Sequence, residues 1–228
     1  MSLKENKGKK SNMYRFVSHI WNPVRGKCPY ECSYCYVNKW GNIQKPLFFD
    51  RSFLKDKLGN ERFIFICSGC DLFAPDVPIE WIMAVKEHTM QYPGNKYLWH
   101  TKSPLRLVEL IEPGPPDIAC VTIESNKGYP EISKAPHPIQ RIDLLNEWDG
   151  KRMITVEPIM DFDLDLFGEM ILDVHPMQVN IGADSGGNGL PEPPAWKVKA
   201  LIEHLEKNNV AVHRKDNLAR ILASREAL

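Results

Sequence analysis

"KYLWHTKSPLRLVELI", residues 96–111, contains one complete unit of the fold. Its first part is almost continuously apolar and aromatic, the pattern of a strand buried on both faces. Ser103 follows as a candidate N-cap, with Pro104 at the first helical position, where a missing N–H costs nothing. The leucine-rich remainder reads as a helix. A polar corner, "HTKS", is left between the two.

The same alternation runs along the chain. Further strand-like runs are "YRFVSHIW" (14–21), "RFIFIC" (62–67), "DIACVTIE" (117–124), "RMITVE" (152–157), "MQVNIGA" (177–183) and "VAVHR" (210–214). Helical patterns lie between them. One begins after Asp76 with Pro78 in its first turn and puts Ile79, Ile82, Met83 and Met90 on a shared face. Another places Ile139, Ile142 and Leu145 together. A third carries Val198, Leu201, Ile202 and Leu205 at amphipathic spacing. Strand–helix alternation means parallel βαβ units. The expected class is α/β, a partial (β/α)6-7 TIM-type barrel with parallel strands; an open doubly wound sheet is the alternative. No composition break marks a second domain, so residues 14–228 are expected to form one domain behind a disordered basic tail, residues 1–13.

The chain has 228 residues, 43% apolar and 25% charged, enough to bury a core without staples. Its six cysteines therefore need not form a disulfide framework. The start, "MSLKENKGKKSN", has no apolar stretch of the kind a secretory signal needs. No run approaches the roughly 18 apolar residues of a membrane span. The expected setting is cytoplasmic, with reduced thiols, no membrane, and cysteines available for metal or redox chemistry. Lys+Arg and Asp+Glu both total 29, so charge alone does not argue for a nucleic-acid partner.

In parallel α/β folds the chemistry gathers at the C-terminal ends of the strands. Those ends read "WNPVRGKC", "CSGCD", "HTKS", "IESN", "VEP", "GADSGG" and "HRKDN". The first leads into "CPYECSYC" (28–35), with Cys28, Cys32 and Cys35 spaced C-x3-C-x2-C. Three thiolates leave a tetrahedral zinc site incomplete, unless a distant residue such as His19 or Cys67 supplies the fourth. They could equally hold a four-iron, four-sulfur cluster, which commonly takes four cysteines, leaving one iron open to an outside ligand.

The spacing, with the aromatic Tyr34 before the last cysteine and a strand before the loop, resembles the signature of the radical S-adenosylmethionine (radical SAM) superfamily. "WNPVRGKC", "SGCDLF", "HTKSPLRL", "TIESN", "TVEPIMDF" and "IGADSG" further resemble the ordered motifs of a radical SAM group found in phages and bacteria. Substrates of that group are largely undefined, and it is distantly similar to the spore photoproduct lyases.

The resemblance implies that Cys28, Cys32 and Cys35 bind a 4Fe-4S cluster whose open iron is chelated by SAM. Reductive cleavage of SAM would give methionine and a 5′-deoxyadenosyl radical, which abstracts hydrogen from a substrate. A nucleic-acid base or nucleotide is the substrate the subgroup suggests. An electron-donating reductase such as a flavodoxin or ferredoxin is the implied partner, and a second protein to present substrate is a further expectation. Tyr34 is expected against the adenine or over the cluster, with plain core packing as the alternative. Ser68, Gly69 and Asp71 resemble the segment that contacts the SAM amino group, and glycine permits close backbone approach.

Glu124 is a candidate for the ribose hydroxyls and Lys102 for the methionine carboxylate, with Asn126 beside them; a mutual Lys102–Glu124 salt bridge is the alternative. Glu157 and Asp184 are candidates for SAM or substrate contacts, against ordinary loop capping. Lys215 is a candidate catalytic residue at the last strand end, with His213 and Arg214 beside it. Cys70 is a candidate hydrogen-atom donor. Cys67 and Cys70 form a C-x2-C, but only Cys120 remains to support a second metal site, and a strand cysteine is more often a small buried hydrophobe.

Other classes fit less well. A zinc-binding, non-enzymatic interaction module would use the same cysteines and would want a coherent basic surface. An electron-transfer protein would want four cysteine ligands. The histidines show no metal-ligand spacing for a hydrolase. "GADSGGNG" lacks the lysine of a phosphate-binding loop.

Overall fold

The computed structural model describes residues 3–7, 13–40 and 45–224, with Lys39 and Trp40 described by their backbone alone. In chain order the strands are β1 Lys4–Glu5, β2 His19–Trp21, β3 Val24–Arg25, β4 Phe48–Phe49, β5 Phe63–Ile66, β6 Lys96–Thr101, β7 Asp117–Thr122, β8 Lys151–Val156, β9 Gln178–Ile181 and β10 Ala211–Arg214. The helices are α1 Ile79–Met90, α2 Pro104–Leu110, α3 Pro138–Asn146, α4 Leu164–Leu172, α5 Ala195–Lys207 and α6 Ala219–Leu222. Among the described residues the main sheet has 8 strands in the order β1-β2-β5-β6-β7-β8-β9-β10. From β2 to β10 every pairing is parallel, and helices connect the strands from β5 onward. This is a mixed α/β fold, a partial TIM-like barrel whose first and last strands do not pair.

Alternation along the strands sorts side chains onto two faces. Ile64, Ile66, Tyr97, Trp99, Ala119, Val121, Ile154 and Val156 join Ile82, Leu107, Ile142, Phe167 and Leu201 of the helices in the larger core. Phe63, Phe65, Leu98, Ile118, Cys120 and Met153 form a second core on the other face. Tyr14 and Val17, with Met13 and Phe16, fill that core from the segment before β2. Met13–Val17 thus acts as a strap across the inner face, where Tyr14 stacks on Phe65 and Phe16.

All seven expected strands form: β6 keeps the bounds 96–101, β8 lies one residue earlier than 152–157, and the other five are narrower. Three expectations need correction. The tail is not disordered at Lys4–Glu5, which pairs antiparallel with His19–Ile20, because β2 otherwise presents an open edge; residues 1–2 and 8–12 lie outside the described residues. The face of α1 is not that of Ile79, Met83 and Met90, which are exposed; Ile82, Val85, His88 and Thr89 are buried. In α3, Ile139 is likewise exposed, and Arg141 shares the buried stripe with Ile142 and Leu145. Ser103 does precede α2, but its side chain makes no cap; its N–H goes to Thr101 Oγ1 at 2.7 Å. No helix among the described residues is long and apolar enough to cross a membrane.

Candidate active site

The cysteine loop is held on both sides. On one, β3 pairs with β4, and Lys27 N–H reaches Lys45 O at 3.0 Å. Gly26 is required there: its φ is +116°, and a Cβ would fall 2.4 Å from Pro46 O. On the other side, Ser33 N–H bonds Ile132 O and Lys134 N–H bonds Tyr30 O, both at 2.9 Å, so the loop after β7 is stitched to the cysteine loop. Cys32 Sγ lies 3.0 Å from Ser133 Oγ.

Cys28 and Cys35 are half-buried and Cys32 is buried. Cys35 is pushed up by burial, with Cys32 and Cys28 near enough to add to the effect. From the end of β5, Cys70 reaches Cys28. The hydrogen bond between them lowers Cys28 and raises Cys70, which burial raises further. Burial pushes Cys67 and Cys120 up to about 12, so both stay protonated thiols.

Tyr34 leaves the loop toward the ends of β6 and β7. There Lys102 Nζ and Tyr34 OH both meet Glu124 Oε1, while Arg141 Nη2 holds Glu124 Oε2 at 2.8 Å. Arg141 also donates to Thr122 O. Burial alone would raise the Glu124 carboxyl, but Lys102 and Arg141 overcome it and hold Glu124 well below the usual carboxylate range. Tyr34 is raised by burial and by the Glu124 charge.

Asp71 is the fastener beside this group. It accepts from Thr101 Oγ1 at 2.8 Å, Lys102 N at 2.7 Å and Phe73 N at 3.0 Å, tying the end of β5 to that of β6. Burial raises its carboxyl. Gly69 lies in the same turn. Ser68 N–H is taken by Asn22 Oδ1 at 2.8 Å, and Ser68 O accepts from Tyr36 OH.

A second ionic pair stands at the later strands. Lys215, 8% exposed, pairs with Glu157, and its Nζ lies 4.6 Å from the centre of the Tyr14 ring. Between the two pairs, His100 Nε2 meets Thr122 Oγ1 at 2.8 Å. Burial, then Lys102 and Lys215, depress His100 to about 3, leaving it neutral.

Several sequence candidates therefore converge: Cys28 with Cys70, and Tyr34 with Lys102 and Glu124, beside Asp71. The Lys102–Glu124 bridge, weighed as an alternative, is formed. Asn126 and Asp184 are engaged elsewhere. Asn126 Oδ1 accepts from Asp163 N at 2.9 Å, at the start of α4, and Asp184 binds the N–H groups of Gly186 and Asn188 in its own loop. Arg214 points outward to Glu206, and His213 packs on Phe16. Arg141, Ser133 and Tyr36 were not anticipated. Arg141 had a signal, since a charged residue at the spacing of Pro138, Ile142 and Leu145 sits on the apolar stripe.

His19 opens β2 and bonds Ser18 Oγ at 2.9 Å, two residues before the strand end that leads to the cysteine loop. Among the described residues no three Cys, His, Asp or Glu side chains close on a single ion. Three soft thiols on one loop, with Cys32 and Cys28 near enough to raise Cys35, are nevertheless the donor chemistry of an iron–sulfur cluster. The residues present fit that group.

Comparison with known proteins adds two findings. A spore photoproduct lyase variant superposes with TM-score 0.64 over 92% of this chain and 80% of that chain, at 9% identity. Another, with bound AdoMet and dinucleoside spore photoproduct, gives 0.55 over 86% and 63%, also at 9%. SuiB of Streptococcus suis, bound to precursor peptide SuiA, gives 0.60 over 86% of this chain and 48% of its own, at 12%. These likenesses are of fold. No curated protein matches the sequence. A family profile matches residues 11–218, and the chain belongs to the family described as "Protein of unknown function (DUF5131)".

Proposed function

We propose that this chain is a radical SAM enzyme, with Cys28, Cys32 and Cys35 holding a 4Fe-4S cluster. The carrying observation is that the three-thiol loop delivers Tyr34 directly into the Lys102–Glu124–Arg141 group at the mouth of the barrel. Bound there, the cluster would supply one-electron reductive cleavage of the SAM sulfonium and so hydrogen-atom abstraction from a substrate.

The chain's own residues do the rest. Lys102 is suited to a ligand carboxylate, Glu124 to hydroxyls, and the Ser68–Gly69–Asp71 turn to an amino group. Lys215 and Glu157 stand across the mouth, where a substrate would lie. The aromatic inner core beneath them excludes water. Cys70, a buried protonated thiol, holds the hydrogen that a donor role requires. A nucleic-acid base or nucleotide is the favoured substrate; the dinucleoside bound by one structural neighbour supports this class. A flavodoxin or ferredoxin would deliver the electron.

The test is anaerobic reconstitution with iron and sulfide, then SAM and a strong reductant, with assay for 5′-deoxyadenosine. Formation that is lost in Cys28→Ala, Cys32→Ala and Cys35→Ala each is expected. Stoichiometric zinc with no cluster would move the assignment to a zinc-binding module.

A further inference from the structure

Glu124 is served by two cations in different ways. Arg141 comes from α3, behind the sheet; its side chain is 4% exposed, and it is braced by Thr122 O as well as by Glu124 Oε2. Lys102 comes from the end of β6, is 13% exposed, and holds Glu124 Oε1 only by the tip of a flexible side chain. One contact is built into the scaffold, and the other is free to exchange. We propose that Arg141 is a positioning residue that keeps Glu124 charged and aligned while Lys102 leaves it for the carboxylate of an incoming ligand. The inference rests on the reading that this site takes SAM.

The physical need is plain. A buried carboxylate stripped of its only cation either loses its favourable solvation or takes up a proton. If Lys102 were the sole partner of Glu124, ligand binding would strand the charge or force protonation. With Arg141 in place, Glu124 stays ionised throughout, and binding requires no proton uptake by it. The other groups around the carboxylate do not substitute. Tyr34 OH is neutral, His100 is neutral, and Asp71 reaches the group only through Lys102.

Two ligands separate this role from a general structural one: S-adenosylhomocysteine, which carries the carboxylate, and 5′-methylthioadenosine, which lacks it. Their affinities for the anaerobically reconstituted protein are measured by calorimetry between pH 6 and 8. Arg141→Gln is expected to weaken S-adenosylhomocysteine at pH 8 about tenfold more than 5′-methylthioadenosine. As pH falls, that loss is recovered by up to about tenfold per unit, because Glu124 now takes a proton when Lys102 departs. The wild type shows no such recovery. In Glu124→Gln/Arg141→Gln no carboxylate remains to be stranded, so the preference for S-adenosylhomocysteine returns without a pH slope; this variant serves also if the single one does not fold.

Equal losses for the two ligands, a wild-type pH profile in Arg141→Gln, or a lost preference in the double variant each overturns the inference alone. A wild type that binds neither ligand overturns the SAM reading and this inference with it.

Discussion

At Asp71 one half-buried carboxylate answers three donors that belong to two different strand ends: the Thr101 hydroxyl and the N–H groups of Lys102 and Phe73. Leaving any of them unpaired would carry a desolvation cost, which explains why an acidic group is tolerated there although burial raises its carboxyl. Asp71→Asn offers one acceptor oxygen and an amide that itself donates, so at least one donor is left facing another. The expected loss is about 1–3 kcal/mol, read from urea denaturation at neutral pH; an unchanged midpoint would show that the three bonds contribute nothing net. Glu124 contrasts with Asp71. Glu124 is buried and Asp71 only half-buried, yet Glu124, flanked by two cations, is depressed, whereas Asp71, with one cation nearby, is raised. Chemical neighbourhood, more than burial, sets which way each carboxylate shifts.

Among the elements, the strap Met13–Val17 separates packing from decoration within three residues. Tyr14, 3% exposed, stacks on Phe65 and bonds Thr155 Oγ1 at 2.6 Å, while Arg15 meets Asp216 at 2.7 Å with both side chains largely in water. Tyr14→Ala is expected to cost about 3–5 kcal/mol, the range for deleting a large core aromatic. Arg15→Ala is expected to stay within about 1 kcal/mol, as exposed ion pairs do; denaturation midpoints of the two variants check the ordering. The strap also shows what was and was not legible. "YRFVSHIW" announced a strand, but only His19–Trp21 extends; the aromatic residues before it are apolar because they plug the inner face. The β/α alternation was legible because strands buried on both faces leave unbroken apolar runs. Helix α4 was not picked out, although "DLDLFGEMIL" spaces Phe167 and Ile171 four apart on its buried face behind Asp163, which caps Leu166 N at 3.2 Å. The cysteine loop and the Lys102–Glu124 pairing were legible from strand ends. For Arg141 the sequence showed a charge on the apolar stripe of α3 but not its destination, because it reaches the site from behind the sheet.

Across the whole molecule, the inner face of the open barrel is graded from aromatic at the strap to ionic at the mouth, and His100 sits on the boundary. Its ring lies 5.4 Å from that of Phe65, its Nε2 meets Thr122, and both Lys102 and Lys215 help to keep it unprotonated. A histidine held neutral by folding makes stability depend on pH in a definite direction. The unfolded chain takes up a proton near 6.5, the folded chain only near 3. Between those values the unfolded state binds more protons, so stability falls as pH falls. By pH 5 the loss from this residue is about 2 kcal/mol. His19 and His213, lowered mainly by burial, act in the same direction. Glu124 adds to the loss below the ordinary glutamate range, because its folded form resists protonation, whereas Asp71, raised on folding, opposes it. His100→Gln keeps a partner for Thr122 and removes the titration. Urea midpoints at pH 7 and pH 5 are expected to differ by about 2 kcal/mol less in this variant than in the wild type. Equal slopes would mean that His100 is protonated in the folded protein, and the boundary between the apolar floor and the ionic mouth would then lie below it.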